Sequence, residues 1–381
     1  MNKKLMAAAV AGALAVPGFA LAQSSVTISG FFKGSFDNTR MKNTPTTSAR
    51  NASSEWRVTD ESSRIVFNVV EDLGGGLQAI GQVDWRVTQD AGADAAAGNN
   101  HVGLRSKSWG RIFIGRQDLH YFNRESDLTT KATLKADSIS ILSFAGGGGV
   151  AIAGATRTTN VIHYTSPAWG PFTIIAAYST NPTAPEADAT SVAAVGVSGV
   201  RKGNAWHLNP NARGANWQVG YSYWKSKPDL GGATVATGDQ RGDRLYGSYA
   251  WGGFKVGLAW DKSKIKSSTG AAPGTTLSNR TAWSFPASYT WGAHEIHGHI
   301  TRARDDKATA LVRDGARMWA FAYAYSLSKR TSFAVAYSSI RNDEGAAYQH
   351  FTGTGGLGSP STTNLAGEDS RNLSATIRHA F

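Results

Sequence analysis

The chain has 381 residues, with 39 Lys and Arg against 27 Asp and Glu, a formal charge of +12 and no cysteine. The absence of cysteine excludes a disulfide scaffold, thiolate metal sites and a cysteine nucleophile, while the charge speaks to partners rather than to fold. With 43 glycines and 10% aromatic residues, yet a mean hydropathy of −0.28, the composition suits repeated strands joined by glycine turns better than one buried core.

In chain order, Lys3 and Lys4 precede an apolar run over 5–16, followed by the small-x-small pattern Ala20-Leu21-Ala22. This reads as a secretory signal peptide, residues 1–22, and leaves 23–381 as a single domain of charge +10 (12 − 2). No later stretch supplies the roughly 20 apolar residues of a membrane helix.

From there the pattern has period two, the mark of a sheet wetted on one side. It opens at 26–29, continues at 63–70 and 77–87 around the turn "EDLGGG", and recurs in "RIFIGRQ", "NVIHYTS", "FTIIAAYS", "NWQVGYSYW", "DRLYGSYAW", "FKVGLAWD", "HEIHGHIT", "MWAFAYAYSL" and "TSFAVAYSSI". Weaker segments lie at 201–209 and 279–291, and the chain closes on "RNLSATIRHAF", where Leu373, Ala375, Ile377 and Phe381 share one parity and Asn372, Ser374 and Thr376 the other.

Short links such as "SKSWGR", "SPAWGP", "WGG" and "SKRT" alternate with long polar ones such as "NTRMKNTPTTSARNASSE" and "HFTGTGGLGSPSTTNLAGED". A soluble β-sandwich has no reason to sort its links by length, whereas a transmembrane barrel with short periplasmic turns and long external loops does. In hydrocarbon every backbone amide must be paired, so such a sheet closes. The expected fold is all-β: a sixteen-stranded antiparallel barrel, with about 10 residues per crossing and Trp85, Trp169, Trp224, Trp251, Tyr223 and Tyr325 near strand ends as aromatic girdles.

The stretches "SSRIVFNVVEDLGGGLQAIGQVDW", "NNHVGLRSKSWGRIFIGRQD" and "RTTNVIHYTSPAWGPF", together with the terminal phenylalanine, resemble the trimeric general porins of Gram-negative outer membranes across nearly the whole mature chain. The resemblance implies a homotrimer in the cell outer membrane, in contact with membrane lipid and lipopolysaccharide, inserted by the barrel assembly machinery with Phe381 as its signal. It implies a third external loop, here 117–156 with glycines 146–149, folded inward to narrow the lumen. It also places an arginine cluster on the facing wall, matched by Arg64, Arg116 and Arg157.

Alternation independently puts Arg64, Val66 and Asn68 on the lumen side, opposite Ile65 and Phe67. The parity of Arg116 is undecided in the doubly apolar "RIFIG", and Arg157 also suits a solvated rim. Arg86, Arg105 and Arg111 extend the basic field, and within the loop Lys131 and Lys135 oppose Glu125, Asp127 and Asp137. Arginines in a watery constriction stay charged and attract anions.

The implied function is passive diffusion of small hydrophilic solutes with a preference for anions; the alternatives are a channel dedicated to a carboxylate or phosphate, and a surface adhesin or receptor acting through the loops. "HEIHGHIT" lacks the HExxH spacing of a metal-binding helix; on a strand, Glu295, His297 and His299 share a polar lumen face. No nucleophile elbow marks a reacting serine. No enzyme, cofactor or metal is expected, and a nucleic-acid partner would leave the export signal and the sorted loops without a purpose.

Overall fold

In a computed structural model, described over residues 24–44, 54–120, 130–142, 152, 155–182, 203–227, 237–267, 274–309, 313–351 and 365–381, the chain forms an antiparallel sheet closed on itself. Its segments are β1 (Ser25–Lys42), β2 (Ser54–Asp60), β3 (Arg64–Gly74), β4 (Leu77–Thr88), β5 (Ala93–Ala95), β6 (Asn100–Ser106), β7 (Gly110–Asp118), β8 (Arg157–Thr165) and β9 (Phe172–Ser179). They continue through β10 (Asn204–Arg213), β11 (Trp217–Lys227), β12 (Thr237–Trp251), β13 (Phe254–Ser267), β14 (Thr276–Trp291), β15 (His294–Ala303), β16 (Ala316–Ser326), β17 (Thr331–Asn342) and β18 (Asp369–Ala380).

The eighteen segments make sixteen strands. β2 and β3 both pair with β1, and β5 and β6 both with β4, so each couple is one strand broken at 61–63 or 96–99. Consecutive strands pair around the ring, and β18 closes onto β1 from Phe31↔Ala380 to Lys42↔Asp369. The ring leaves no edge with unpaired amides, as hydrocarbon requires. The long link after β1 is shorter than the sequence suggested, because Asn38 to Lys42 and Ser54 to Asp60 are strand.

The strands put most large apolar side chains outward and mainly small or polar ones inward, because successive residues point to opposite faces. On β16 Trp319, Phe321 and Tyr325 are exposed, while Ala316, Met318, Ala320, Ala322 and Ala324 are buried. On β18 Leu373 and Ile377 face out, and Asn372, Ser374 and Thr376 face in, as the C-terminal parity predicted. Trp85, Trp169 and Trp251 are exposed girdle residues, but Trp224 is not: it points inward and is fully buried, because its register partner His207 lies on the lumen side. The leader, residues 1–22, lies outside the described residues.

Candidate functional site

The lumen is built from two unlike walls. One is a patch of charged side chains on β3, β4, β7 and β8. Arg64 pairs in register with Arg86 and with Phe31, whose β1 neighbours Lys33 and Ser35 of the same parity are buried inside the barrel. The Arg64 guanidinium stacks 4.8 Å above the Phe31 ring and donates to the Ser62 carbonyl and hydroxyl at 3.3 and 3.2 Å. Arg86 donates to Ser62 Oγ at 2.6 Å and to Asp84 Oδ2 at 2.7 Å, and Asp84 also lies 3.7 Å from Arg64.

Arg157 opens β8 opposite Asp118, with Nε 3.8 Å from its carboxylate, and reaches the Ala97 carbonyl at 3.4 Å. Arg64, Arg86 and Arg157 thus stand within Coulombic reach of one another and of Asp84 and Asp118, three cations against two anions. The breaks at 61–63 and 96–99 open a recess here of about 170 Å³, lined by Asp60, Ser62, Ser63, Arg86, Thr88, Asp94 and Arg157 among others.

Arg116 takes a different place. It shares the parity of Ile112 and Ile114, which are exposed on the outer face, and it pairs with Asn100. The register shifts between Gly115 and Gln117, and its Nε donates to the Arg157 carbonyl at 3.4 Å. It therefore borders the cluster through β8 rather than standing within it. Farther toward the short turns, Arg105 faces Arg111 across the β6–β7 ladder; they donate to Gln78 at 2.7 Å and Thr165 at 3.2 Å respectively.

The other wall is formed by described residues between β7 and β8, 130–142 with Leu119, Ile152 and Ala155, which lie inside the barrel. Leu119, Ile152 and Ala155 at its two ends pack with Val161, Ala177, Ala205, Trp224 and Ile265 on β8 to β13. Ala132, Ala136, Ile141 and Leu142 pack against inward alanines, Met318, Ile340 and Tyr348 on the β12 to β17 side. The strand pattern explains the docking: inward alanines leave room, so the segment buries its apolar residues there instead of filling the whole lumen.

Polar bonds fix this segment. Lys135, 1% exposed, lies 2.8 Å from Asp37 and 2.5 Å from Glu61. Glu61 also accepts from Thr133 Oγ1 at 2.8 Å and from the Leu134 amide at 2.5 Å. Lys131 pairs with Glu295 at 2.9 Å, which also meets His297 Nδ1 at 2.9 Å. His299 Nε2 bonds the Ala136 carbonyl at 3.0 Å, and the Phe351 amide donates to Ser140 Oγ at 2.8 Å. Burial alone would push the Lys135 ammonium down, but Glu61 and Asp37 hold it above the usual lysine range.

These contacts give three of the loop charges their partners. Lys135 and Lys131 are consumed in anchoring pairs, and Asp137 is buried with its carboxylate accepting from the Ile139 amide; none of the three is a free charge at the pore. Glu125, Asp127 and glycines 146–149 lie outside the described residues. "HEIHGHIT" likewise serves the loop, and among the described residues no group of His, Asp or Glu is placed to hold a metal. Asp84 and Asp118 were not singled out from the sequence, although alternation with Gln82 and Arg86 puts Asp84 on the lumen side.

Phe381 ends the seam: its amide donates to the Gly30 carbonyl at 3.2 Å, its carbonyl accepts from the Gly30 amide at 3.3 Å, and its ring lies 5.4 Å from that of Phe32.

A family model described as Gram-negative porin matches residues 7–345. No curated protein sequence matches the chain. Among solved structures, the fold is similar to the anion-selective porin from Comamonas acidovorans, at 20% identity and TM-score 0.70, covering 94% of this chain and 100% of that one. It is also similar to OmpT of Vibrio cholerae in its trimer form (11% identity, TM-score 0.64, 94% and 99% covered) and to the outer membrane channel DcaP of Acinetobacter baumannii (10% identity, TM-score 0.61, 94% and 97% covered).

Proposed function

Because the chain belongs to the Gram-negative porin family and is an integral β-barrel of the outer membrane, we propose that its channel favours anions among the small hydrophilic solutes that diffuse through it. The observation that carries this reading is the unequal lumen. Three guanidiniums with two carboxylates occupy one wall, while the described lysines of the opposing loop are neutralised in its anchoring bonds. In this reading the guanidiniums of Arg64, Arg86 and Arg157 set the sign of the field along the path, and an arginine does not lose its proton at physiological pH. A sixteen-stranded barrel is wide enough to keep an aqueous path beside such a loop.

Anion selectivity in the Comamonas acidovorans structure supports the same direction, and the trimer form of the Vibrio cholerae protein supports a homotrimer here. In this reading residues 1–22 are removed on export, Phe381 is read by the barrel assembly machinery, and no cofactor takes part. Swelling of liposomes carrying the purified protein tests it with size-matched neutral, anionic and cationic solutes. Anions are expected to enter several-fold faster than cations, with rates linear in concentration. Faster cations would overturn the preference, and saturation with one carboxylate or phosphate would replace the general pore by a dedicated one.

A further inference from the structure

The recess in the barrel wall has a charge make-up that a preference for anions does not explain. It opens between the breaks at 61–63 and 96–99, and Asp60, Ser62, Arg86, Asp94 and Arg157 line it together with an apolar side. Its two guanidiniums and two carboxylates cancel, 2 − 2 = 0, unlike the wider arginine cluster with its surplus of one cation. Such a pocket draws a lone ion of either sign weakly, while it complements a molecule that carries both charges.

The positive side has open donors. Ser62 Oγ accepts from Arg64 at 3.2 Å and from Arg86 at 2.6 Å, so its own proton points elsewhere, and among the described residues it meets no acceptor. The Nε of Arg86 is buried without a partner. Arg157 makes long contacts, 3.4 Å to the Ala97 carbonyl and 3.8 Å to Asp118. A hydroxyl polarised by two guanidiniums, beside guanidinium donors with unused capacity, suits a carboxylate.

The backbone holds Ser62 in place at some cost. Its φ is 69°, in the left-handed region that a serine seldom adopts; the other non-glycine residues found there among the described ones, Asn43 and Asn160, are of the type that tolerates it. The Asp60 carboxylate fixes the turn by accepting from the Ser62 and Ser63 amides at 2.8 and 3.2 Å. Backbone strain retained in a pocket lining is characteristic of sites that bind.

The negative side is Asp60, 7% exposed with Asp90 within Coulombic reach, and Asp94, exposed on β5. Among the described residues no lysine or arginine pairs with these acids, so an ammonium group there meets carboxylates that are not already neutralised. Volume limits the guest. About 170 Å³ is the liquid volume of roughly five or six water molecules at about 30 Å³ each, which admits a molecule of about that many non-hydrogen atoms. Val87, Ala95 and Ala97 offer their apolar side to a short aliphatic group.

We propose that the recess is a resting site for small zwitterionic α-amino acids of the size of glycine and alanine, with the carboxylate on Arg86, Arg157 and the Ser62 hydroxyl and the ammonium toward Asp60 and Asp94. The proposal rests on the channel reading for access from the lumen, and not on the channel's preference for anions.

The test is saturation-transfer NMR on the detergent-purified full-length protein with L-alanine, L-lactate, L-alaninamide and lactamide, which have one size and shape. At about pH 6, below the α-amino range and above the carboxylate range, they are zwitterion, anion, cation and neutral. Alanine is expected to give a saturable signal several-fold stronger than the other solutes. Asp94→Asn weakens it several-fold while raising that of lactate, and Arg157→Gln weakens both. No alanine signal, or lactate equalling alanine in wild type, would overturn the proposal, and so would an alanine signal that both substitutions leave untouched. The comparison of solutes uses wild type alone, so it decides even where a variant fails to fold. Wild type that binds alanine yet passes no current in a planar bilayer would refute the channel reading instead, so the two failures are distinguishable.

Discussion

Lys135 is the side chain on which the position of the inward loop depends most. A lysine that is 1% exposed survives there because Asp37 and Glu61 both reach it, and removing one partner of a buried ionic group leaves the others uncompensated, at a cost of about 3–5 kcal/mol. Lys135→Met is therefore expected to lower the unfolding midpoint of the purified barrel and to increase open-channel noise, whereas Lys131→Met, at a pair 22% exposed on both sides, changes either much less. The pH dependence follows from the raised affinity of Lys135 for its proton. Its contribution is complete below the ordinary lysine value of 10.5 and is lost only as pH rises through the higher folded value. Open-channel noise is thus expected to stay constant from neutral pH through about 10 and to grow above it in wild type but not in Lys135→Met. A rise already at pH 8 would contradict this. The sequence announced Lys135 as a charge but not its partners, since Asp37 and Glu61 lie 98 (135 − 37) and 74 (135 − 61) positions before it in no simple motif and meet it only through barrel closure.

Among elements, β16 shows best what alternation tells and what it withholds. The outward set Trp319, Phe321 and Tyr325 was legible from period two alone. The inward alanines were equally visible, but a small inward residue serves a watery lumen as well as a docking recess, and only the packing of Ala132, Ala136, Ile141 and Leu142 distinguishes them. Ala322, fully buried, accordingly tolerates no added volume. Ala322→Trp is expected to cost about 1–3 kcal/mol by overpacking and to alter conductance by displacing the loop, which bilayer recording and denaturant titration together check. Phe321→Ala, one residue away on the outer face, should leave conductance unchanged. Arg116 marks the opposite limit: its strand is apolar on both faces and shifts register between Gly115 and Gln117, so neither parity nor spacing could have placed it. The breaks at 61–63 and 96–99, which shape the recess beside Arg86, likewise carry no glycine-proline signal strong enough to announce them.

For the whole molecule, closure is what turns a run of strands into a membrane channel, and the parity of the C-terminal strand together with the sorted link lengths made it readable in advance. That the last strand pairs with the first was equally readable, but the register of the seam was not. Gly30 stands between the two neighbours of β1, paired with Ile65 of β3 on one side and bonded to Phe381 at the end of β18 on the other, and a Cβ there would lie 2.2 Å from the Arg64 carbonyl. Gly30→Val is expected to reduce sharply the heat-modifiable folded fraction seen by gel mobility, while Gly34→Val, whose Cβ would meet nothing nearer than 3.9 Å, assembles more normally. The central claim is that charge on one lumen wall sets ion preference, and it is tested most directly by the zero-current potential across a planar bilayer separating unequal potassium chloride solutions, for wild type and for Arg64→Ser/Arg86→Ser/Arg157→Ser. The account predicts a potential of the sign for chloride preference in wild type and its collapse toward zero, or reversal by the remaining Asp84 and Asp118, in the triple variant. Cation preference in wild type, or a potential untouched by the three substitutions, would contradict it.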